Sequence, residues 1–321
     1  MRLTRRGIAA AAVAALSLGL TGPLGGPVEG ITRRPRTRPR VTRARVTTTR
    51  VPARTRSIST VTVDAARLGE VSGCAFSRRD PNLVWLHNDS GDTARVFPVD
   101  VSTGVVGPAV EVAGVDVADA EDIAITPGGD LVLADIGDND ERRADVALVR
   151  FPEPAPGSRS ASGTVTRYSY PDGPRDAEAL LIEPDGASAL VITKSATGRS
   201  QVFRADLSAD PKLPGVHPMT QVGELTISGE GFFFPNLVTA ADTVGGGSAI
   251  VVRTYAYGYL FRRPTGAPFE RALEATPERF DLPGMIQAEA ICSSPDGTRL
   301  VTTTEARGAA TFPLSVVPVP R

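Results

Sequence analysis

Three glutamates share a phrase that places them for chemistry. Asp119-Ala-Glu121, Asp176-Ala-Glu178 and Gln287-Ala-Glu289 each open a short apolar run. With Glu70, Asp122 and Asp242 they form a set of carboxylates at matching places along the chain. Like charges held close together raise one another's pKa or call for a cation, and an all-oxygen set suits Ca²⁺ or Mg²⁺ better than zinc. The alternative is that each acid satisfies backbone N–H groups at the start of its strand. A second set follows the next apolar run of each unit: His87 to Asp92, Asp135 to Asn139, Thr193-Lys194, Arg253 to Tyr255 and Thr304-Glu305. It mixes acceptors with cations, and Lys194 is one of only two lysines in the chain. Turn chemistry alone accounts for the Asn, Asp and Gly of the first two segments but poorly for Lys194 and Arg253. No Gly-x-Ser-x-Gly elbow, phosphate-binding loop, dinucleotide fingerprint or His-Glu-x-x-His is present, so serine-hydrolase, nucleotide and zincin chemistry has no support. The histidines are two, His87 and His217. Carboxylates, a bound metal and Lys194 are therefore the groups left for any catalysis.

Such residues need a frame that repeats. Five units recur, each an acidic-then-apolar strand, a Pro/Gly turn and a second apolar strand: Glu70–Asn88, Asp119–Ala134, Asp176–Thr193, Thr239–Val252 and Gln287–Thr302. With Ser72, Glu121, Glu178, Ala241 and Glu289 taken as equivalent, the spacings are 49, 57, 63 and 48 residues, near the repeat of a propeller blade with lengthened loops. A third strand such as Arg95 to Val99 or Ala147 to Phe151 follows, then an alternating fourth such as Thr164 to Tyr170. The reading is all-β: a β-propeller of four-stranded blades, five in number, with a degenerate sixth around Met219 to Phe234 as the other possibility. Thr60 to Val63 is expected to add an outer strand to the last blade and so close the ring. In that ring the first strands line a channel, and both polar sets meet at one mouth of it. Cys74 and Cys292 fall in the first and last units, which become neighbours on closure. A disulfide there would lock the ring in an oxidising compartment, and two buried thiols are the other reading.

Charge divides the chain. The first 56 residues hold 13 of the 35 basic residues and one of the 36 acidic ones, leaving the remainder with a net charge of −13. An acidic body argues against nucleic acid as a partner. Met1 to Arg6 is basic and Ile8 to Leu20 apolar, the pattern of a signal peptide over residues 1–30, with Arg5-Arg6 leaving Sec and twin-arginine export both open. Residues 31–56 alternate Arg with Thr, Pro and Val and read as a basic disordered linker. Residues 57–321 are the propeller domain. The mature protein is expected outside the cytoplasm, in the periplasm or beyond the cell, as a monomer with no transmembrane helix.

Asp119-Ala-Glu-Asp-Ile-Ala124, Ala134-Asp-Ile-Gly-Asp-Asn139 and Leu148-Val-Arg-Phe-Pro-Glu153 resemble secreted bacterial propellers of the gluconolactonase/SMP-30-like and phytase-like groups. The resemblance implies a propeller whose channel carboxylates hold a divalent ion. It makes Glu121, Asp135, Asp138 and Glu178, with Asn139 beside them, the metal-ligating candidates. Asp89, Asp119, Asn139, Lys194, Arg253, Tyr255, Glu289 and Glu305 are the candidates for binding a ligand. Two functions fit. One is an exported module that binds a small molecule, glycan or envelope component at the channel mouth. The other is a metal-dependent hydrolase, lactonase-like or phosphoesterase-like, using Ca²⁺ or Mg²⁺.

Overall fold

The computed structural model describes residues 57–209, 215–227, 236–285 and 287–321. The residues read as an export signal (1–30) and a basic linker (31–56) lie outside the described residues, as do 228–234 of the possible sixth unit. The described chain forms five antiparallel sheets arranged as the blades of a propeller. Blade I comprises Val71–Phe76, Leu83–Asn88, Arg95–Asp100 and Val110–Ala113, from the axis outward. Blade II comprises Ala120–Ile125, Asp130–Asp135, Val146–Pro152 and Thr164–Ser169. Blade III has Ala177–Ile182, Ser188–Thr193, Arg199–Asp206 and Thr220–Thr226, and blade IV has Val238–Val244, Ala249–Thr254, Tyr257–Arg262 and Glu278–Asp281. Blade V runs Ala290–Ser293, Arg299–Thr303 and Thr311–Pro318, with Ser59–Asp64 paired antiparallel to the last of these. The strand after Met219, Thr220–Thr226, completes blade III, so the ring has five blades and not six.

The sequence explains this layering. Inner strands are covered on both faces and read as small and apolar runs apart from the second residue, Ser72 in Val71–Phe76 and Glu178 in Ala177–Ile182, and every residue of both is buried. Outer strands alternate, as Val110–Ala113 does between buried and exposed. Each inner strand packs on the next, and that of blade V packs on that of blade I. Five apolar clusters fill the five spaces between adjacent blades, so each interface carries its own core. Two outer edges gain a short parallel strand from the following blade: Ser160–Ser162 beside blade I and His217–Pro218 beside blade II, which covers groups that would otherwise template aggregation. No helix among the described residues is long and apolar enough to cross a membrane.

The inner strands of the first four blades each carry a β-bulge near their start, at Ser72, Glu121, Glu178 and Thr239. Thr239, not Ala241, is therefore the fourth-blade equivalent of Glu121. The sequence spacing is two residues out because Asp242 mimics the acidic start of the phrase. Its true place is mid-strand, opposite Val251. There its carboxylate accepts Thr243 N–H and, across the blade interface, Ser293 N–H, both at 2.7 Å. Asp122 links blade II to blade III in the same way, accepting Leu180 N–H at 2.8 Å.

Close approach of blades I and II depends on Gly73. A Cβ there would run into His87 Nε2 and stand 2.8 Å from Asp122 Cα and from Ile123 N. Gly73→Ala is expected to destabilise the fold by about 1–3 kcal/mol, the usual range for overpacking. Chemical denaturation of the variant against the parent, followed through Trp85 fluorescence, measures it. An unchanged midpoint would mean that the blades can part at no cost.

Candidate functional site

Strand direction puts the bulges and the ends of the second strands at the same mouth of the channel. Asp89, Asp119 and Glu121 each bring a carboxylate oxygen to within 4.8 Å of the others, a spacing that a single cation can bridge. Three different elements supply them. Asp89 follows the second strand of blade I, Asp119 precedes the inner strand of blade II, and Glu121 is the bulge residue of that strand. A bulge re-aims the side chain it carries, and here the Glu121 carboxylate meets Ser72, Asp89 and Asp119. Ser72, the equivalent residue of blade I, holds it there: its Oγ lies 2.7 Å from the Glu121 carbonyl and 2.9 Å from Oε2. Gly137 leaves the space open, since a Cβ at that position would strike Glu121 Oε1 and come 2.5 Å from Asp119 Oδ2.

The other side of the mouth is a mixed cluster. Lys194 donates to Glu178, and the Lys194 ammonium lies 5.7 Å from the centre of the Tyr255 ring. Tyr255 OH donates to Glu289 Oε1 at 3.1 Å, and Glu289 in turn hydrogen-bonds Glu305. Burial, reinforced by the neighbouring carboxylates, sets the protonation of the whole group. It pushes Asp119 up to about 7 with help from Asp89, and raises Asp89 itself. It drives Glu121 well above the carboxylate range, seconded by Glu178, Asp89 and Asp119. Glu289 is pushed to about 9 by burial, then Glu178 and Glu305. Burial also takes Glu178 up to about 8, although the Lys194 ammonium pulls it down. Desolvation works against the charge on Lys194, yet Glu178 and Tyr255 together hold it above the ordinary lysine value. The mouth thus contains one firm cation and an excess of acids that resist ionising together.

Asp89, Asp119, Glu121, Glu178, Lys194, Tyr255, Glu289 and Glu305 form this one electrostatic group. Asp135, Asp138 and Asn139 stand apart from it, and Arg253 meets it only through the charge of Glu289. Asp135 accepts the N–H groups of Ala118 and Asp119 at 3.2 and 2.8 Å and pairs with Arg143 at 2.9 Å, so it braces the strand that carries Glu121. Asp138 accepts Arg143 N–H at 2.7 Å within the same loop, and Asn139 is exposed beyond it. Arg253 is enclosed between blades IV and V, donating to Ala288 O at 3.1 Å and to Thr302 Oγ1. Two residues that sequence reasoning did not put in the site belong to it. They are Ser72, which occupies the glutamate place of the repeat, and Gly137, whose missing side chain is the signal.

No protein-family model and no curated protein sequence matches the chain. Among solved structures, a gluconolactonase from Xanthomonas campestris, described as important in glucose secondary metabolic pathways, aligns over 80% of this chain and 74% of its own with a TM-score of 0.45. Sequence identity is 14%.

Proposed function

We propose that this chain is an exported binding propeller. Its channel mouth takes a divalent cation, Ca²⁺ or Mg²⁺, on Asp89, Asp119 and Glu121, and beside it an oxygen-rich small molecule, glycan or envelope component. The convergence of those three carboxylates around space kept open by Gly137 is the observation that carries this reading. Hard oxygen ligands of this kind suit either ion. Lys194 would receive an anionic or carbonyl group of the ligand, and Tyr255 would offer it a ring face.

Isothermal titration of chelator-treated protein with CaCl₂ and MgCl₂ tests the cation. One equivalent is expected to bind and to raise the unfolding temperature, and Glu121→Gln is expected to weaken binding about tenfold or more, since a neutral amide cannot replace a charged ligand oxygen. Absence of heat and of any shift with both ions would remove the reading.

A hydrolytic role is favoured by one further observation. Glu178 and Glu289, at about 8 and about 9, both hold a proton near neutral pH within a cluster that also contains Lys194, the state a general acid needs. A cation at the mouth would supply Lewis acidity to a bound carbonyl or phosphoryl oxygen. Chelator-sensitive turnover of lactone or phosphoester panels, lost in Glu121→Gln, would decide for this alternative.

A further inference from the structure

We propose that Cys74 and Cys292 are the two halves of a disulfide that fastens the first blade to the last. They are the only cysteines in the chain, and they lie on the inner strands of blades I and V, which pack together where the ring meets itself. The Cys74 thiol reaches the carbonyl of Val301 at 4.0 Å. Val301 is the residue directly opposite Cys292 within blade V, and such partners stand about 4.5–5.5 Å apart at Cα. The two sulfurs therefore share one small space. Both side chains are almost wholly buried, in a single apolar cluster with Val71, Leu86 and Ala290. Among the described residues the acids that converge closely enough to share an ion are at the mouth, not here, so each thiol has the other for its natural partner.

In the structure both are thiols. Oxidation needs a disulfide-bearing thiol oxidant. One cysteine, as thiolate, attacks the oxidant's S–S bond, and the second thiolate displaces the sulfur so attached. One S–S bond forms in the chain, the oxidant's is reduced to two thiols, and the cysteines' protons end on those thiols. Burial pushes both cysteines above the ordinary thiol value, so the exchange belongs to the folding chain, before the seam packs shut. The oxidising compartment itself rests on the export reading.

The test starts from the full chain, reduced and unfolded, then refolded in glutathione buffers of graded potential and trapped with iodoacetamide. A monomer lacking two hydrogens, with one cross-linked peptide pair, is expected under oxidising conditions. Its unfolding temperature should exceed that of the dithiol form by about 5–10 °C, because the bridge closes a very long loop. Cys74→Ala and Cys292→Ala should lose that redox dependence. Two alkylated thiols at every potential, or disulfide-linked dimers, would overturn the proposal. A bridge that forms in buffer, in a protein that is recovered from the cytoplasm with both thiols free, would uphold the site and refute export.

Discussion

Stability of the cation-free protein is expected to fall as pH rises from about 5 to about 9, the reverse of the usual behaviour of a protein rich in paired carboxylates. Glu289, Glu178 and Asp242 are held at about 9, about 8 and about 7 by burial, against ordinary values of 4.5, 4.5 and 3.8. Between those limits the folded chain keeps protons that the unfolded chain has released. The slope of unfolding free energy against pH is then negative, and the contribution, whole below the ordinary value, is gone once the folded value is passed. Lys194 adds nothing to the slope in this window, because it is protonated in both states. His87 acts in the opposite sense: burial lowers it to about 4 from 6.5, so its own contribution declines as pH drops through that interval. That is one group against three, so the net slope of these four stays negative throughout the interval above about pH 5. At about 1.4 kcal/mol per pKa unit, the fall to pH 9 is on the order of several kcal/mol. Calorimetry in chelator from pH 5 to 9 should show it as a falling unfolding temperature. Saturating Ca²⁺ should flatten the curve, since an ion favours the ionised carboxylates that repulsion otherwise suppresses. A flat or rising curve in chelator would mean that the mouth is hydrated well enough to ionise freely.

That behaviour follows from features the sequence announces unevenly. Glu121, Glu178 and Glu289 are legible because each follows an acid or amide and an alanine at the head of an apolar strand, and the repeat fixes all three on one axis. Thr239 is not, because a bulge has no composition of its own and Asp242 offers a closer imitation of the phrase. Arg253 lies one residue inside the end of its strand, where the ladder still fixes the face it takes. Opposite Ala240 in the ladder, it turns into the interface of blades IV and V, whereas Tyr255, two places on and past the strand end, reaches the mouth. Asp135 shows the same limit. Its type and position match a ligand, yet two N–H groups and Arg143 already face it. Gly137 is silent in sequence, since only the placement of Glu121 and Asp119 reveals what a side chain there would obstruct.

Replacing Lys194 by methionine is expected to destabilise the protein by an amount that grows with pH. The parent pair is shielded, with Glu178 at 3% and Lys194 at 17% side-chain exposure, and removing one member of a buried pair costs about 3–5 kcal/mol when the other stays charged. Glu178 has an escape: at about 8 it already holds a proton at pH 6, and without the ammonium, burial together with Asp176 and Asp89 keeps it protonated to higher pH. At pH 6 the loss should therefore be about 1–2 kcal/mol, the worth of a hydrogen bond to a charged group. Above the parent value of about 8, proton uptake costs a further 1.4 kcal/mol or so for each pH unit. Urea unfolding at pH 6 and pH 9 measures the difference, and Lys194→Met with Glu178→Gln should abolish it, leaving a coupling energy that the double-mutant cycle isolates. Equal losses at both pH values would show that Glu178 is not the group Lys194 neutralises. The same substitution should tighten Ca²⁺ binding, since the Lys194 charge lies in the field of Glu121 and repels a cation held there. Lys194 thus weakens the adjoining cation site and draws down the value of the glutamate beside it. On the proposed reading of the mouth, an anionic or carbonyl group of the bound molecule would be the partner of that ammonium.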